Sequence, residues 1–180
     1  MSSTLRNSLL TAKAADVLAI AATGNDETTQ PDYPAYYASD SSLAGYVLAV
    51  GSVNSSSAIS SFSQQCGDAM NYCLVAPGEN IYGAYPTSTY ATGSGTSSAT
   101  PHVAGAAAVI RGAWTFLTAA QTAQILLQTA TDLGVAGVDV IYGHGLLNLF
   151  LIKKHLEISD LFRKAILPLI LTNPLCKAVW

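Results

Sequence analysis

An uncharged run of small and apolar residues from Ala99 to Ile110 narrows the possible folds of this chain more than any other stretch. Its length suits a helix better than a strand, and a helix apolar on every side belongs in a core. Glycines and hydroxyls crowd its start, in Gly93-Ser94-Gly95-Thr96-Ser97-Ser98. Ser97 is thereby placed at or just before a helix N-terminus. The unpaired N–H groups and the positive end of the helix dipole there favour a developing negative charge. Two roles fit a serine so placed: a capping residue that satisfies the helix start, or a nucleophile.

The wording of the whole segment favours the nucleophile. Gly95-Thr96-Ser97-Ser98-Ala99-Thr100-Pro101-His102-Val103-Ala104-Gly105 resembles the G-T-S-x-A-x-P-H-V-A-G motif of the subtilisin-like serine proteases at every fixed position. The lipase elbow G-x-S-x-G fails at Ala99, where it requires a glycine. A dinucleotide-binding loop fails for want of a third glycine. The resemblance implies that Ser97 is the nucleophile, that its own N–H forms part of the oxyanion hole, and that the Thr96 hydroxyl supports that hole. His102, five residues along the helix, points to a different face, and the resemblance makes it a structural residue and not the general base.

Earlier in the chain, Val17–Ala22 is a short apolar run without alternation, the pattern of a parallel strand buried on both faces. It stops at Thr23-Gly24-Asn25-Asp26, a turn signal. An apolar strand running into A-A-x-G-N resembles a second signature of the same family. It implies that the Asn25 carboxamide donates to the oxyanion and that Ala22, Thr23 and Gly24 wall the pocket for the substrate residue before the cut. Removing such a donor costs about 10²–10³ in turnover, a magnitude taken over from a member of this same family. Asp26 is a candidate for the floor of that pocket, where it would favour a basic side chain.

Gln30–Ser42 reads as a loop, Tyr46–Val53 as a buried strand, and Cys73–Ala76 as a strand ended by Pro77 and Gly78. The order of these elements, with Ile59–Ser63 between them, also resembles the family. Ile81–Gly95 reads as a hairpin or loop lining a cleft. Gly112 is the expected stop of the helix after Ser97. Thr118-Ala119-Ala120-Gln121 is a capping box opening a further helix that ends near Asp132–Gly134. Tyr142–Asn148 resembles the family's closing turn, with His144 a turn or surface residue. Cys66 and Cys73 have no further ligands at metal-site spacing. They are either two small core residues or a local disulfide, and their turn-like setting favours the disulfide. It would stabilise by about 2.5 kcal/mol in the chain-entropy model and point to an oxidising compartment. In this cysteine pair the chain is similar to autotransporter passengers of the family.

The chain has 180 residues, half of them hydrophobic and 11% charged, enough for one domain with a sizeable core. Its net charge of −3 gives no footprint for nucleic acid or an anionic membrane. No apolar run approaches the ~20 residues of a bilayer span, and Met1–Leu10 lacks the features of a signal peptide. Residues 1–150 carry three Lys or Arg against nine Asp or Glu, whereas residues 151–180 carry five against two. A boundary is therefore expected after Leu149. Residues 150–180 form an atypical tail, which a foreign or frameshifted terminus would explain; no role is assigned to His155 or Cys176 within it.

The family resemblance covers roughly residues 5–149. It implies an α/β fold, a three-layer sandwich with a mostly parallel sheet, here incomplete because the N-terminal half is missing. The mechanism needs an aspartate and a histidine, which precede the serine in this family. The histidines here are His102, His144 and His155, and Asp16, Asp32 and Asp40 lack the family's flanking pattern. Loss of one triad member costs about 10⁴–10⁶ in turnover, again a figure from serine proteases that include this family. The expectation is a serine endopeptidase by descent, acting on proteins or peptides, inactive by itself without the missing half, and extracellular or at the cell surface. No cofactor is evident, and structural calcium is implied only by the family, without an assigned site. The alternative is a secreted binding fragment or pseudoenzyme.

Overall fold

β2 (Val47–Val53) is buried along its entire length and forms the centre of the fold. It pairs in parallel with β1 (Ala19–Ala22) on one side and with β3 (Cys73–Pro77) on the other. The register sets Ala21 beside Ala49 and Val50 beside Leu74. A short parallel sheet of this kind needs cover on both faces. This computed structural model describes residues 3–87 and 89–154.

Alternate residues of the strands supply the two faces. On one face Ala21, Val47, Ala49 and Cys73 pack with Ala35, Tyr37, Ala38, Leu43, Cys66 and Ala69. Leu9 and Leu10 of α1 (Ser3–Ala14) border this cluster. On the other face lie α2 (Thr96–Ala113), which touches all three strands, and α3 (Ala119–Gln128), which packs on α2. The fold is thus α/β with a mostly parallel sheet between helical layers. β4 (Ile81–Tyr85) and β5 (Thr89–Gly93) form a separate antiparallel hairpin.

Several details differ from the sequence expectation. β1 begins at Ala19, not Val17; only Ala21 is buried and Val17 is 49% exposed. β1 is the edge of the described sheet, so one long side has no covering strand. α2 is not buried all round. Ala99, Val103, Ala106, Ala107 and Ile110 are buried, while Ala104, Gly105, Ala108 and Val109 are exposed, because only one side of the helix meets the sheet. The helix also runs through Gly112 to Ala113. The segment expected as a loop holds two 3₁₀ turns, Ala35–Ser39 and Ser41–Leu43, whose buried Ala35, Tyr37, Ala38 and Leu43 belong to the core.

Asp16 ties the layers together. Its carboxylate takes Arg111 Nη2 at 2.9 Å and the Ala119 N–H at 2.8 Å, joining the α1–β1 link to the end of α2 and the start of α3. The Thr118 capping box has both its bonds, Gln121 N–H to Thr118 Oγ1 at 3.2 Å and Thr118 N–H to Gln121 Oε1 at 2.9 Å. α3 ends at Gln128, four residues short of the expected Asp132. The chain divides into two compact units, Met1–Asn148 and Leu149–Trp180. Of the second, residues 149–154 are described and are helical. The remainder of the atypical tail, with His155 and Cys176, lies outside the described residues.

Candidate active site

The site is assembled where β1 ends and α2 begins. Leaving β1 at Ala22, the chain places Thr23 in the interior, its N–H on Val50 O at 3.0 Å and its hydroxyl on Gln64 O at 3.1 Å. Gly24 follows with φ +116°, a backbone angle that glycine adopts without a steric penalty. Asn25 is then delivered to the surface.

From the other side, Gly95 is tethered by its N–H to Gly78 O at 2.8 Å, just past the end of β3. Gly95 is the N-cap of α2 and makes no side-chain cap bond. Ser97 is therefore not a cap. It is the second residue of the helix, exposed, between buried Thr96 and half-buried Ser98. The Ser98 and Ala99 N–H groups both bond to Gly95 O, at 2.9 and 3.2 Å. The Ser97 N–H lies in the first turn, where no helical carbonyl can receive it.

Thr96 joins the two halves. Its N–H and its hydroxyl both donate to Asn25 Oδ1, at 2.9 and 3.1 Å. The hydroxyl accepts the Gly24 N–H at 3.2 Å. Because Oδ1 is held by two donors, the orientation of the Asn25 amide is settled and Nδ2 is turned away from Thr96. A Cβ built on Gly95 would sit 3.1 Å from Ser97 Oγ and 3.7 Å from Asn25 Nδ2, so the hydroxyl and the carboxamide flank one point. Any side chain at position 95 would crowd it. The structure thus brings Ala22, Thr23, Gly24, Asn25, Thr96 and Ser97 together.

A cavity of about 520 Å³ opens beside Ser97, between the first turns of α2 and the hairpin, with Gly83, Tyr85, Gly93 and His102 among its lining. His102 is exposed and its Nδ1 lies 3.0 Å from Ser98 O, back along its own helix. His144 Nε2 lies 3.1 Å from Asn71 O, in the closing turn. Asp16 and Asp40 are engaged elsewhere, Asp40 with Arg6 Nε at 2.6 Å. That hydrogen bond, with its charge, holds the Asp40 carboxyl below the usual carboxylate range. Among the described residues no side chain hydrogen-bonds Ser97 Oγ. The arrangement can steady an oxyanion, but it contains no base in place to take the serine proton.

Cys66 and Cys73 are bonded to each other across a Cα–Cα distance of 5.8 Å, both fully buried, with Cys73 opening β3. Asp26 is exposed; the carboxylate beside Gly24 is that of Asp32, with Oδ2 2.8 Å from a Cβ built there. The sequence offered Asp32 only as an aspartate without the family's flanking pattern and did not single out Gln64, which also stands against Gly24. Neither sits in a motif, and only the fold brings them to the turn.

An exposed serine in the first turn of a helix, faced by a carboxamide anchored at the end of a parallel strand, is set here on an α/β fold. The comparisons are specific about which. The subtilase family model matches residues 1–145, and the chain belongs to the subtilase family. It is 40% identical over 147 residues to Subtilisin BL of Lederbergia lenta, covering 82% of this chain and 50% of that protein. It is 40% identical over 132 residues to the Minor extracellular protease Epr of Bacillus subtilis (strain 168), covering 73% of this chain and 19% of that protein. Among solved structures, the prenylagaramide maturation protease PagA superposes with a TM-score of 0.73 at 30% identity, covering 84% of this chain and 55% of that one. The chain spans about half the length of Subtilisin BL and of PagA, and about a fifth of Epr.

Proposed function

We propose that this chain carries the nucleophile and oxyanion-hole portion of a serine endopeptidase. Ser97 Oγ attacks the scissile carbonyl carbon, and the carbonyl oxygen takes the charge. The Ser97 N–H and Asn25 Nδ2 donate to that oxygen, and Thr96 holds the Asn25 carboxamide in place. Collapse breaks the C–N bond, the serine proton leaves with the amine by way of a base, and water later releases the acyl group from Ser97. Ala22, Thr23 and Gly24 wall the pocket for the residue before the cut.

The observation that carries this reading is the double occupation of Asn25 Oδ1 by Thr96, which leaves Nδ2 available beside Ser97. The base and its orienting aspartate belong to the part of the domain that these 180 residues do not supply, and the chain by itself is inert. An extracellular or cell-surface location fits the disulfide and the similarity to the Minor extracellular protease Epr. Among the described residues no helix is long and apolar enough to cross a membrane, and no three His, Cys, Asp or Glu side chains converge.

A fluorophosphonate probe tests the assignment. The expected result is no labelling of the chain alone, and labelling at Ser97 once the chain is joined to the N-terminal half of Subtilisin BL. A fold-competent hybrid that still resists the probe refutes it. That outcome would favour a second reading, a secreted binding fragment, for which the exposed Tyr82, Tyr85 and Tyr90 of the hairpin offer a surface.

A further inference from the structure

A smaller cavity, of about 260 Å³, shares no lining residue with the one beside Ser97 and is walled by Tyr33, Tyr36, Tyr37, Ser39 and Asp40. It is built on the 3₁₀ turn Ala35–Ser39. There the Tyr36 N–H is bonded to Asp32 O at 2.9 Å and the Tyr37 N–H to Pro34 O at 3.1 Å, which fixes where the aromatic side chains leave the backbone. Tyr33 is 45% exposed, whereas Tyr37 is 3% exposed and belongs to the core. The Tyr33 ring lies 5.3 Å from that of Tyr36 and 4.8 Å from that of Tyr37, centroid to centroid, and is inclined by 60° to each. Rings stacked flat would cover one another's faces; rings inclined in this way form a corner and leave π-surface open to the cavity.

The carboxylate and two of the hydroxyls in this wall are already engaged. Asp40 Oδ2 takes Arg6 Nε at 2.6 Å, and Oδ1 takes Arg6 Nη2 at 3.3 Å and the Ser42 N–H at 2.9 Å. The Ser39 hydroxyl donates to Tyr36 O at 2.8 Å. The Tyr36 hydroxyl donates to Asp68 Oδ2 at 3.0 Å. A phenol that donates to a carboxylate is polarised toward its ring, which makes the negative face of that ring more attractive to a cation.

We propose that the corner formed by Tyr33, Tyr36 and Tyr37 binds a quaternary ammonium group, that of choline or of a choline-bearing lipid. A cation within about 6 Å of a tyrosine face is drawn to it, and several faces around one cavity add their attraction. The choice of cation follows from the hydrogen bonds. A primary ammonium or a guanidinium brings N–H donors that need acceptors, and the carboxylate in this wall is held by Arg6 and the Ser42 N–H. A trimethylammonium group has no N–H to leave unpaired, and its methyl groups pack against the rings. The site goes beyond the endopeptidase reading and needs neither Ser97 nor Asn25.

The test is a titration of the 180-residue chain with choline, with its uncharged isostere 3,3-dimethylbutan-1-ol, and with ethanolamine, which keeps the charge and lacks the methyl groups. Binding is read from the backbone amide resonances of Tyr36 and Ser39. Choline is expected to bind roughly fivefold to thirtyfold more tightly than the isostere, the range for a desolvated cation over aromatic faces, and more tightly than ethanolamine. Tyr33→Leu keeps an apolar wall without a π-face and should remove the preference, whereas Tyr33→Phe should keep it, with unchanged circular dichroism in both. Equal binding of choline and the isostere overturns the proposal. So does ethanolamine matching choline, a preference that survives Tyr33→Leu, or the absence of any shift at the highest soluble choline concentration. Phosphatidylcholine vesicles separate the two sources of the group. A chain that sediments with them and is released by choline takes the lipid headgroup, and one that stays in the supernatant while binding free choline takes a soluble choline compound.

Discussion

Thr96 is where the site and the fold share atoms, so Thr96→Val is the most informative single change. The side chain is fully buried. Its hydroxyl donates to Asn25 Oδ1 at 3.1 Å and accepts the Gly24 N–H at 3.2 Å. Valine has nearly the same shape and a similar helix propensity, so no cavity opens and the helix start is unaltered. Two neutral hydrogen bonds are lost at about 1 kcal/mol each, and the Gly24 N–H is stranded at a further cost of about 1 kcal/mol or more. The gain from placing a methyl in the interior opposes this by less than about 1 kcal/mol. The net loss is about 2 kcal/mol, which for a urea dependence of about 2 kcal/mol per M lowers the midpoint by about 1 M. Thr96→Ser keeps the hydroxyl and drops one methyl, for about 0.8 kcal/mol. The expected order in urea unfolding of the chain is wild type, then Ser, then Val. If burial alone governed the position, Val would match or exceed wild type and Ser would come last. A Val midpoint at or above that of wild type refutes the hydrogen-bond account of the site.

Reducing Cys66–Cys73, or replacing both by alanine, is expected to lower stability by about 2.5 kcal/mol from loop closure; because both cysteines are fully buried, phosphine reduction followed by thiol labelling should be slow without denaturant. Ile110→Ala, on the sheet side of α2 and fully buried, should cost about 2–5 kcal/mol, whereas Val109→Ala on the 61% exposed side should stay within about 0.5 kcal/mol, as read by urea unfolding. Asp40 has its pKa lowered in the fold by Arg6 and by the Ser42 N–H. Its stabilisation is therefore present above the ordinary carboxyl range and is lost as pH falls through the lowered value, so Asp40→Asn should flatten that acid limb of the stability curve.

What could be read from the sequence was whatever is written locally. β2 announces itself by seven consecutive apolar or small residues, and all seven are buried. The Thr118 capping box needs only two side chains three residues apart, and both bonds are present. The helix after Ser97 follows from composition, but its environment does not. Ala104, Gly105 and Ala108 look like core residues in sequence, yet lie exposed because the described sheet covers one side only. Gly112 looks like a stop and is passed over by one residue, a weak preference outvoted by the helix around it. In 30–42 the polar and aromatic letters suggest a surface loop, whereas packing draws Tyr37 and Leu43 beneath the sheet. Asp32 and Gln64 were invisible as a pair, since nothing in a linear string sets a turn aspartate against a glutamine thirty-two positions later.

The convergence of Asn25 and Ser97 has a topological cause that no single motif contains. Strands running in parallel release all their C-terminal ends on one edge of the sheet, and in open α/β sheets ligands bind in the crevice beyond those ends. β1 releases Thr23-Gly24-Asn25 there, and β3 releases Pro77-Gly78, to which Gly95 and hence the first turn of α2 are bonded. The helix presents its N-terminal end, with the Ser97 N–H, to that same edge. One parallel register therefore delivers a carboxamide and a helix-borne hydroxyl to a single point, although seventy-two residues separate them. The position of Asp32 follows from the same register, because its N–H is bonded to the carbonyl of Thr23 one step beyond β1. An antiparallel β1 would have sent Asn25 and Asp32 to the opposite edge, leaving Thr96 without its partner and Ser97 an ordinary residue in the first turn of a helix.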